Sequence, residues 1–302
     1  ATGEAYAWSE KIALEAIREA KSDGVPLSIG WGAFSKIATS HGKLFLDRHP
    51  ELVDQVSTTH GDAGTVHLTL QMISEAGFKP GFKVAVVGAN GAIGELISKS
   101  LLKYGPSSIL LIGKPDKPGA FVNQARLTKL ADEVRQLGGK VTISQDEKKA
   151  CLEQGCQLVI VATGGSHRLS PAGVRPGAVV FDMAASPACS EGDDWSRRLV
   201  LTSGHGRFVS FTLPEGFGYH RGERLIDVGG GGDSAIWGCA YETIINASYG
   251  WRGHSAGQQI PFADLDRCQQ MMSRAGCTPA WISFGRSLLL AEVQSFVKEK
   301  SS

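Results

Sequence analysis

The sequence predicts an α/β fold in which a doubly wound parallel sheet is joined by a second, smaller lobe. Three observations support this prediction. Apolar runs alternate with amphipathic helical patterns from about residue 80 to about residue 200. A glycine-rich turn follows the first of these runs. After residue 200 the alternation stops and glycine-rich, loop-like sequence begins.

The sheet is predicted from five apolar segments separated by helical ones. Strands are expected at 83–87, 107–114, 140–144, 157–165 and 178–184, with helices at 92–104, 121–137 and 147–155. The strands are nearly continuous in apolar residues, as is typical of parallel strands that are covered on both faces.

The second lobe is predicted from the two ends of the chain. Amphipathic helices are expected at 4–22, 64–76, 234–250 and 262–275. Gly77 would end the second of these helices, and Asp233 or Ser234 would cap the third. We therefore expect residues 80–200 to form the sheet domain, and residues 1–79 and 201–302 to form the smaller lobe.

Composition argues against several functional classes. The 302 residues carry a formal net charge of +1, so no electrostatic attraction to nucleic acid or to a membrane surface is expected. No apolar run approaches the roughly 20 residues that span a bilayer, so stable membrane insertion is not expected. Six cysteines without a CxxC pair favour reduced thiols, no structural zinc site and a cytoplasmic location. The sequence leaves oligomerisation open.

The turn after the first strand has the pattern of a phosphate-binding loop. In VAVVGANGAIG, residues 84–94, the glycines lie at positions 88, 91 and 94 between a strand and a helix. Glycines there let the backbone approach a pyrophosphate, which the helix N-terminus then holds. The spacing differs modestly from G-x-G-x-x-G. We predict a Rossmann-like nucleotide-binding domain, with cofactor contacts from Gly88, Asn90, Gly91, Ala92 and Ile93.

Two further strand ends refine the cofactor prediction. The second strand ends in IGKPDKPG, where Lys114, with Lys117 nearby, suits the 2′-phosphate of NADPH. Asp116 in the same turn is evidence for NAD instead. The fourth strand ends in VATGG, and small residues there let a nicotinamide lie flat against the backbone. We therefore predict that Ala162, Thr163 and Gly164 contact the nicotinamide. A tight structural turn is the alternative.

Cys239 is the candidate nucleophile. It lies in the predicted helix SAIWGCAYETIINASYG, behind the glycine-rich stretch at 204–232. A thiol there would form a thioester with an acyl substrate. A cysteine in an apolar helix is more often a small core residue, so the residues alone leave both roles open.

Several segments together resemble the cyanobacterial-type long-chain fatty acyl-ACP reductase family, which forms aldehydes. GWGAFSKI (30–37) resembles that family's GGFTSI segment, STTHGDAGT (57–65) its TTGNTHT segment with one inserted residue, and VAVVGANGAIG its VAVVGATGDIG. WGCAYETIINASYGW (237–251) matches the helix around the family's catalytic cysteine, and Lys114 replaces an arginine. The strand end 179–187 and the tail 257–280 are also similar.

The resemblance implies an activity. Cys239 would attack the thioester of an acyl-ACP or acyl-CoA donor, and NADPH would reduce the bound acyl group to an aldehyde. The chain lacks the segment that precedes the first helix in such reductases, and it is expanded between residues 187 and 232. For that reason the resemblance leaves open whether the acyl group is long, shorter or functionalised.

The remaining site candidates are polar and aromatic residues. His205 and His220 are predicted as catalytic acids, with Tyr219 as an alternative to them. His60 and Asp62, in the segment resembling TTGNTHT, would face the cleft. Phe34, Thr59 and Trp237 are predicted to contact substrate, although core packing explains Trp237 equally well.

Two other functions remain open at this point. Dehydrogenases of the shikimate dehydrogenase-like or methylene-tetrahydropterin dehydrogenase-like kind also combine a small N-terminal lobe with a nucleotide-binding domain, and they transfer hydride without a cysteine nucleophile. A module that binds NADPH without turnover is the third possibility.

Overall fold

The computed structural model describes residues 2–116, 121–146, 151–164, 167–184, 186–208, 235–257 and 259–300, without the side chains of Thr2, Ala33, Phe34 and Phe208. The chain forms two compact units. Of the described residues, those within 2–67, 206–208 and 235–278 belong to unit 1, and those within 68–205 and 279–300 belong to unit 2.

Unit 2 is built on an eight-stranded sheet. Its strands are β3 (Lys83–Val87), β4 (Ser108–Ile112), β5 (Val141–Ser144), β6 (Leu158–Val161), β7 (Val179–Asp182), β8 (Leu199–Thr202), β13 (Ile282–Ser283) and β14 (Arg286–Ser287). The order is β5-β4-β3-β6-β7-β8-β13-β14, and the first six strands are parallel. In sequence order these six strands read 3-2-1-4-5-6, the order of the dinucleotide-binding fold, so the predicted fold class is confirmed.

Among the described residues, unit 2 includes the helices α5 (Ala92–Ser100), α6 (Val122–Gln136), α9 (Leu290–Lys300) and α4 (Asp62–Ala76) from Leu68 onward, with 3₁₀ turns at Leu101–Tyr104 and Pro171–Gly173. The apolar side chains of the strands form a continuous core with Cys151, Cys156 and Trp195. The helix predicted at 147–155 falls partly on residues outside the described part of the chain.

The end of the chain differs from the prediction, which assigned all of residues 201–302 to the smaller lobe. β13 pairs antiparallel with β8, where Ile282 lies opposite Thr202, and the segment Pro279–Ser302 belongs to unit 2. Strands of two residues are too short to show a periodic pattern, so they could not be predicted from the sequence.

Unit 1 contains α1 (Thr2–Asp23), α2 (Ala33–Ala38), α3 (Lys43–Arg48), the start of α4, α7 (Gly238–Ser248) and α8 (Phe262–Arg274), with a 3₁₀ turn at Pro50–Leu52. A three-stranded parallel sheet has the order β1 (Ser28–Gly30), β2 (Ser57–Thr59), β11 (His254–Ser255). The strands β10 (Ile236–Trp237), β9 (His205–Phe208) and β12 (Cys277–Pro279) form another sheet, in the order β10-β9-β12. α1 packs through Ala13 and Ile17 onto a core with Trp31 and Phe45.

The helix that carries Cys239 begins later than predicted. It starts at Gly238, because Ile236 and Trp237 form β10 and pair with β9 instead. The predicted caps, Asp233 and Ser234, lie outside the described residues.

Within the described ranges, no helix is both long and apolar enough to cross a bilayer.

Candidate functional site

The first candidate site lies in unit 2, at the carboxyl ends of β3 and β6. The strand order reverses between these two neighbours, and nucleotides bind at such a reversal in open α/β sheets. Val87 pairs with Val161, so Gly88 and Ala162 follow their strands at the same level of the sheet. The backbone N–H of Ala162 donates to the carbonyl of Val87 at 2.8 Å.

The glycine loop is shaped by close backbone approaches. Gly88 has a φ of +83°, and a Cβ there would lie 2.7 Å from the carbonyl oxygen of Ala162. A Cβ on Gly94 would overlap the Gly88 carbonyl and lie 2.8 Å from the Cα of Ala89. Only glycine fits at both positions. The loop and the first turn of α5 are thereby packed tightly against the strand ends.

The start of α5 has the features of an anion site. Gly91 is its N-cap and provides no side-chain cap, so the N–H groups of the first turn are not satisfied in that way. A Cβ on Gly91 would make only ordinary contacts, the nearest at 3.4 Å. Asn90, Ala92 and Ile93 are half-buried around it. These residues fit the pyrophosphate of a dinucleotide.

The end of β6 is also compatible with a cofactor. Ala162 and Thr163 are half-buried, and Gly164 is exposed. The Thr163 hydroxyl is buried and has no hydrogen-bond partner in the part of the chain that the structure describes. The Thr163 methyl lies 3.0 Å from where a Cβ on Gly88 would be, so the two loops are adjacent.

The end of β4 bears on the choice of cofactor. Lys114 is exposed there. The carboxylate of Asp116 accepts hydrogen bonds from the backbone N–H groups of Asn123 (2.7 Å) and Gln124 (2.8 Å) and so caps α6. Desolvation would raise the pKa of Asp116, but these hydrogen bonds outweigh it and lower the pKa. Asp116 therefore has a structural role, which weakens the evidence for NAD. Lys117 lies outside the described residues.

Replacing Lys114 with alanine should weaken NADPH binding by about tenfold and leave NADH binding nearly unchanged, because only NADPH offers a 2′-phosphate to the ammonium. Fluorescence titration of both cofactors measures this difference. Lys140→Ala is the matched control, since this exposed lysine precedes β5 at the opposite, amino-terminal edge of the sheet. Equal losses for both cofactors with Lys114→Ala would remove this role.

The second candidate site is a cavity of about 240 Å³ within unit 1. One wall is a face of α7, and the other comes from the segment after β1 and from the loop after β2. The lining residues are Gly30, Trp31, Gly32, His60, Cys239, Ala240, Thr243 and Ile244.

Cys239 is the second residue of α7 and is only half-buried. Gly61, with a φ of +74°, lies so close that a Cβ on it would overlap the Cα and Cβ of Cys239. A Cβ on Gly238 would similarly lie 2.7 Å from the backbone nitrogen of Thr65. The first turns of α4 and α7 thus meet backbone to backbone, with the thiol at the cavity wall.

A charged pair lies beside this thiol. The ammonium of Lys36 contacts both oxygens of Asp62 at 2.5 Å, and both side chains are largely buried. Burial, and then the negative charge of Asp62, raise the pKa of Cys239 to about 11, against opposing effects of the Ala240 N–H and of Lys36. The thiol is therefore protonated at neutral pH, and its attack on an electrophile requires a proton acceptor.

His60 lines the cavity, but its ring nitrogens have partners within the protein. The backbone N–H of Asp62 donates to Nδ1 at 3.2 Å, which places the proton of a neutral ring on Nε2. Nε2 lies 3.4 Å from Oγ of Ser255, and that hydroxyl donates to Asp264 at 2.8 Å. We infer that His60 mainly holds the loop after β2 in place.

His41 is a neighbour that the sequence analysis did not identify. Its ring meets that of His60 edge-on, with centroids 5.8 Å apart. Burial and the charge of Lys36 lower the pKa of His41. Its Nδ1 is buried and has no partner among the described residues, and its φ is +58°, which is uncommon outside glycine. No periodicity or motif marks such a residue in a sequence.

Glu242 connects the walls of the cavity and was also missed. Its carboxylate, completely buried, accepts hydrogen bonds from the Thr59 hydroxyl (2.8 Å) and the Gly64 N–H (2.8 Å). A guanidinium nitrogen of Arg267 lies 3.1 Å from the same Glu242 carboxylate. The guanidinium also stacks over the Trp251 ring, 3.7 Å from its centroid. The loop after β2 is thereby fixed to α7, one turn beyond Cys239.

The other predicted site residues have different outcomes. Thr59 is not available to substrate, because it is fully buried and its hydroxyl binds Glu242 and the Gly61 N–H. His205 is buried in β9, where burial lowers its pKa and its Nδ1 lies 3.3 Å from the Ser203 carbonyl. Neither His205 nor the half-buried Trp237 is among the residues that line the cavity. His220, Tyr219 and the side chain of Phe34 lie outside the described part of the chain.

Across the described residues, no group of three or more His, Cys, Asp or Glu side chains is arranged to hold a metal ion.

Comparisons with known proteins add little. No protein-family model matches the chain. It is similar to 2R,3R-butanediol dehydrogenase from Bacillus subtilis, with 16% identity, a TM-score of 0.33 and coverage of 46% of this chain and 40% of that one. It is also similar to a short chain alcohol dehydrogenase from E. coli CFT073 complexed with NADH, with 17% identity, a TM-score of 0.35 and coverage of 47% of this chain and 42% of that one. For a thermostable alcohol dehydrogenase from Pyrobaculum aerophilum, the identity is 17%, the TM-score is 0.34, and the match covers 79% of this chain and 51% of that one.

The chain thus spans about half or less of these solved structures. Likeness at this level carries no information about activity. The fold class rests on the strand order of the chain's own sheet.

Proposed function

We propose that the chain is an NADPH-dependent oxidoreductase that reduces an acyl thioester, carried by ACP or CoA, to an aldehyde through a thioester on Cys239. The observation that carries the proposal is the position of Cys239. Its thiol lies in the first turn of α7, at the wall of a cavity, and the charges of Lys36 and Asp62 act on its pKa. The resemblance of the surrounding helix to acyl-ACP reductases supports the same assignment.

The first half-reaction is transfer of the acyl group. The Cys239 sulfur bonds to the acyl carbon, the bond to the donor sulfur breaks, and the Cys239 proton ends on the departing thiol. Asp62 and, more weakly, Glu242 are the anionic groups that raise the pKa of this thiol, and we assign the transfer of that proton to Asp62. The N–H groups of the first turn of α7 favour negative charge developing on the carbonyl oxygen.

The second half-reaction releases the aldehyde. The bond between the acyl carbon and the Cys239 sulfur breaks, and the thiol regains a proton. NADPH bound at the glycine loop would supply the hydride that replaces this bond. In unit 2, the loop at 88–94 would hold its pyrophosphate, Lys114 its 2′-phosphate, and residues 162–164 its nicotinamide. One acyl thioester, one NADPH and one proton thus give an aldehyde, a thiol and NADP⁺.

One observation favours a second candidate, a dehydrogenase that transfers hydride directly to its substrate. The raised pKa of Cys239 keeps its thiol protonated at neutral pH, and direct hydride transfer needs no thiolate.

Intact-protein mass spectrometry tests the choice. The chain is mixed with acyl-CoA and acyl-ACP donors of several lengths without NADPH. We expect one acyl adduct on Cys239, which NADPH discharges with release of aldehyde. If no donor forms an adduct although NADPH binds, direct hydride transfer becomes the better assignment.

A further inference from the structure

The wall of the cavity opposite Cys239 contains two glycines, and close packing requires glycine at only one of the two positions. Gly30 ends β1, and a Cβ there would overlap the hydroxyl of Thr243 on α7. Close packing therefore accounts for Gly30. Gly32, two residues later, caps α2 and also lines the cavity.

Neither conformation nor packing accounts for Gly32. Its φ of −108° and ψ of 161° lie in the extended region that any residue adopts. Setting aside its two chain neighbours, no atom that the structure describes lies within 4 Å of where its Cβ would be. As an N-cap, glycine offers no side-chain hydrogen bond, and serine, threonine, asparagine or aspartate would do more.

Gly164, beyond β6, is another glycine at a candidate site with an ordinary φ and nothing within 4 Å of where a Cβ would be. It lies where the proposed cofactor would approach the backbone. Gly32 is exposed and lines the cavity, so the same combination leaves space there for a bound molecule.

The facing wall indicates the direction in which that molecule extends. Cys239, Ala240, Thr243 and Ile244 stand at positions i, i+1, i+4 and i+5 of α7 and form one face of the helix. The cavity therefore runs along α7 from the thiol toward Ile244, over about 7.5 Å at the rise of an α-helix.

We propose that Gly32 is a specificity-determining residue, whose missing side chain leaves room for the acyl chain of the substrate on Cys239. This inference rests on the proposed function. A side chain at position 32 would fill the cavity and shorten the longest acyl group that Cys239 accepts. Acetyl donors, which occupy only the space near the thiol, would be affected least.

The test uses Gly32→Ser and Gly32→Leu with acetyl, hexanoyl and longer acyl-CoA donors. Gly32→Ser retains a favoured N-cap residue, so it keeps the start of α2 intact if leucine disturbs folding. Gly192→Ser is the control, because Gly192 also has an ordinary φ and space for a Cβ, but lies in an exposed loop of unit 2. Adduct formation on Cys239 is measured for each donor, and iodoacetamide measures access to the thiol.

We expect Gly32→Leu to lower the rate of adduct formation with the longest accepted donor by about tenfold or more, and Gly32→Ser to lower it less. The rates with acetyl donors and with iodoacetamide should change little. Adducts on the parent protein with an unchanged donor profile in both variants would overturn the inference and leave the proposed function intact. No adduct on the parent with any donor would overturn the proposed function, and this inference with it.

Discussion

Replacing Cys239 with alanine is expected to lower kcat/KM for reduction of an acyl thioester by at least about 10³-fold and to leave NADPH affinity unchanged. The reason is that this thiol is the proposed acyl acceptor, whereas the glycine loop belongs to unit 2. Steady-state reduction and NADPH titration measure the two quantities.

Cys156→Ala is the matched control. Burial raises the pKa of Cys156 to about 11 as well, but this residue lies in the core of unit 2. It should retain near-normal turnover. Full turnover by Cys239→Ala would instead assign the chain to the direct hydride-transfer dehydrogenases.

Alkylation of Cys239 provides an independent readout of the same assignment. With a pKa of about 11, its thiolate fraction rises about tenfold per unit between pH 7 and 10, and alkylation by iodoacetamide should follow it. Asp62→Asn removes a charge that raises this pKa, so alkylation should become faster. Acyl transfer should become slower if Asp62 also carries the proton. A change of both rates in the same direction would limit Asp62 to an electrostatic effect.

Replacing Glu242 with leucine is expected to lower the free energy of unfolding by about 3–5 kcal/mol, because it leaves Arg267 without its carboxylate in a largely buried position. The substitution also removes the acceptor of the Thr59 hydroxyl and the Gly64 N–H. Urea denaturation measures the change.

Two comparisons test this explanation. Glu133→Gln removes a carboxylate that is more exposed than that of Glu242, and Lys99 keeps Glu95 as a partner, so it should cost less than about 1 kcal/mol. The double substitution of Glu242 and Arg267 by leucine should cost less than the sum of the two single substitutions. Strict additivity would show that the two side chains do not stabilise each other.

Local sequence was sufficient to predict the sheet of unit 2. The runs at 84–87, 109–112 and 158–161 are continuously apolar, and such strands can be buried on both faces. The glycine loop could also be predicted from local sequence. Glycine is sterically required at positions 88 and 94 because a strand, a tight turn and a helix follow one another directly in the chain. β13 and β14 were missed because two residues carry no periodicity.

The surroundings of Cys239 depended on tertiary structure. The sequence singled out Cys239, but the Lys36–Asp62 pair joins residues 26 positions apart, and Glu242 meets Thr59 across 183 positions. Such contacts arise only when β1, β2 and α7 pack together, and no local pattern specifies them. Thr59 shows the consequence: its hydroxyl binds Glu242 instead of facing substrate. The sequence by itself determined the sheet and its phosphate-binding loop, and the tertiary structure decided the charge and the space around the thiol.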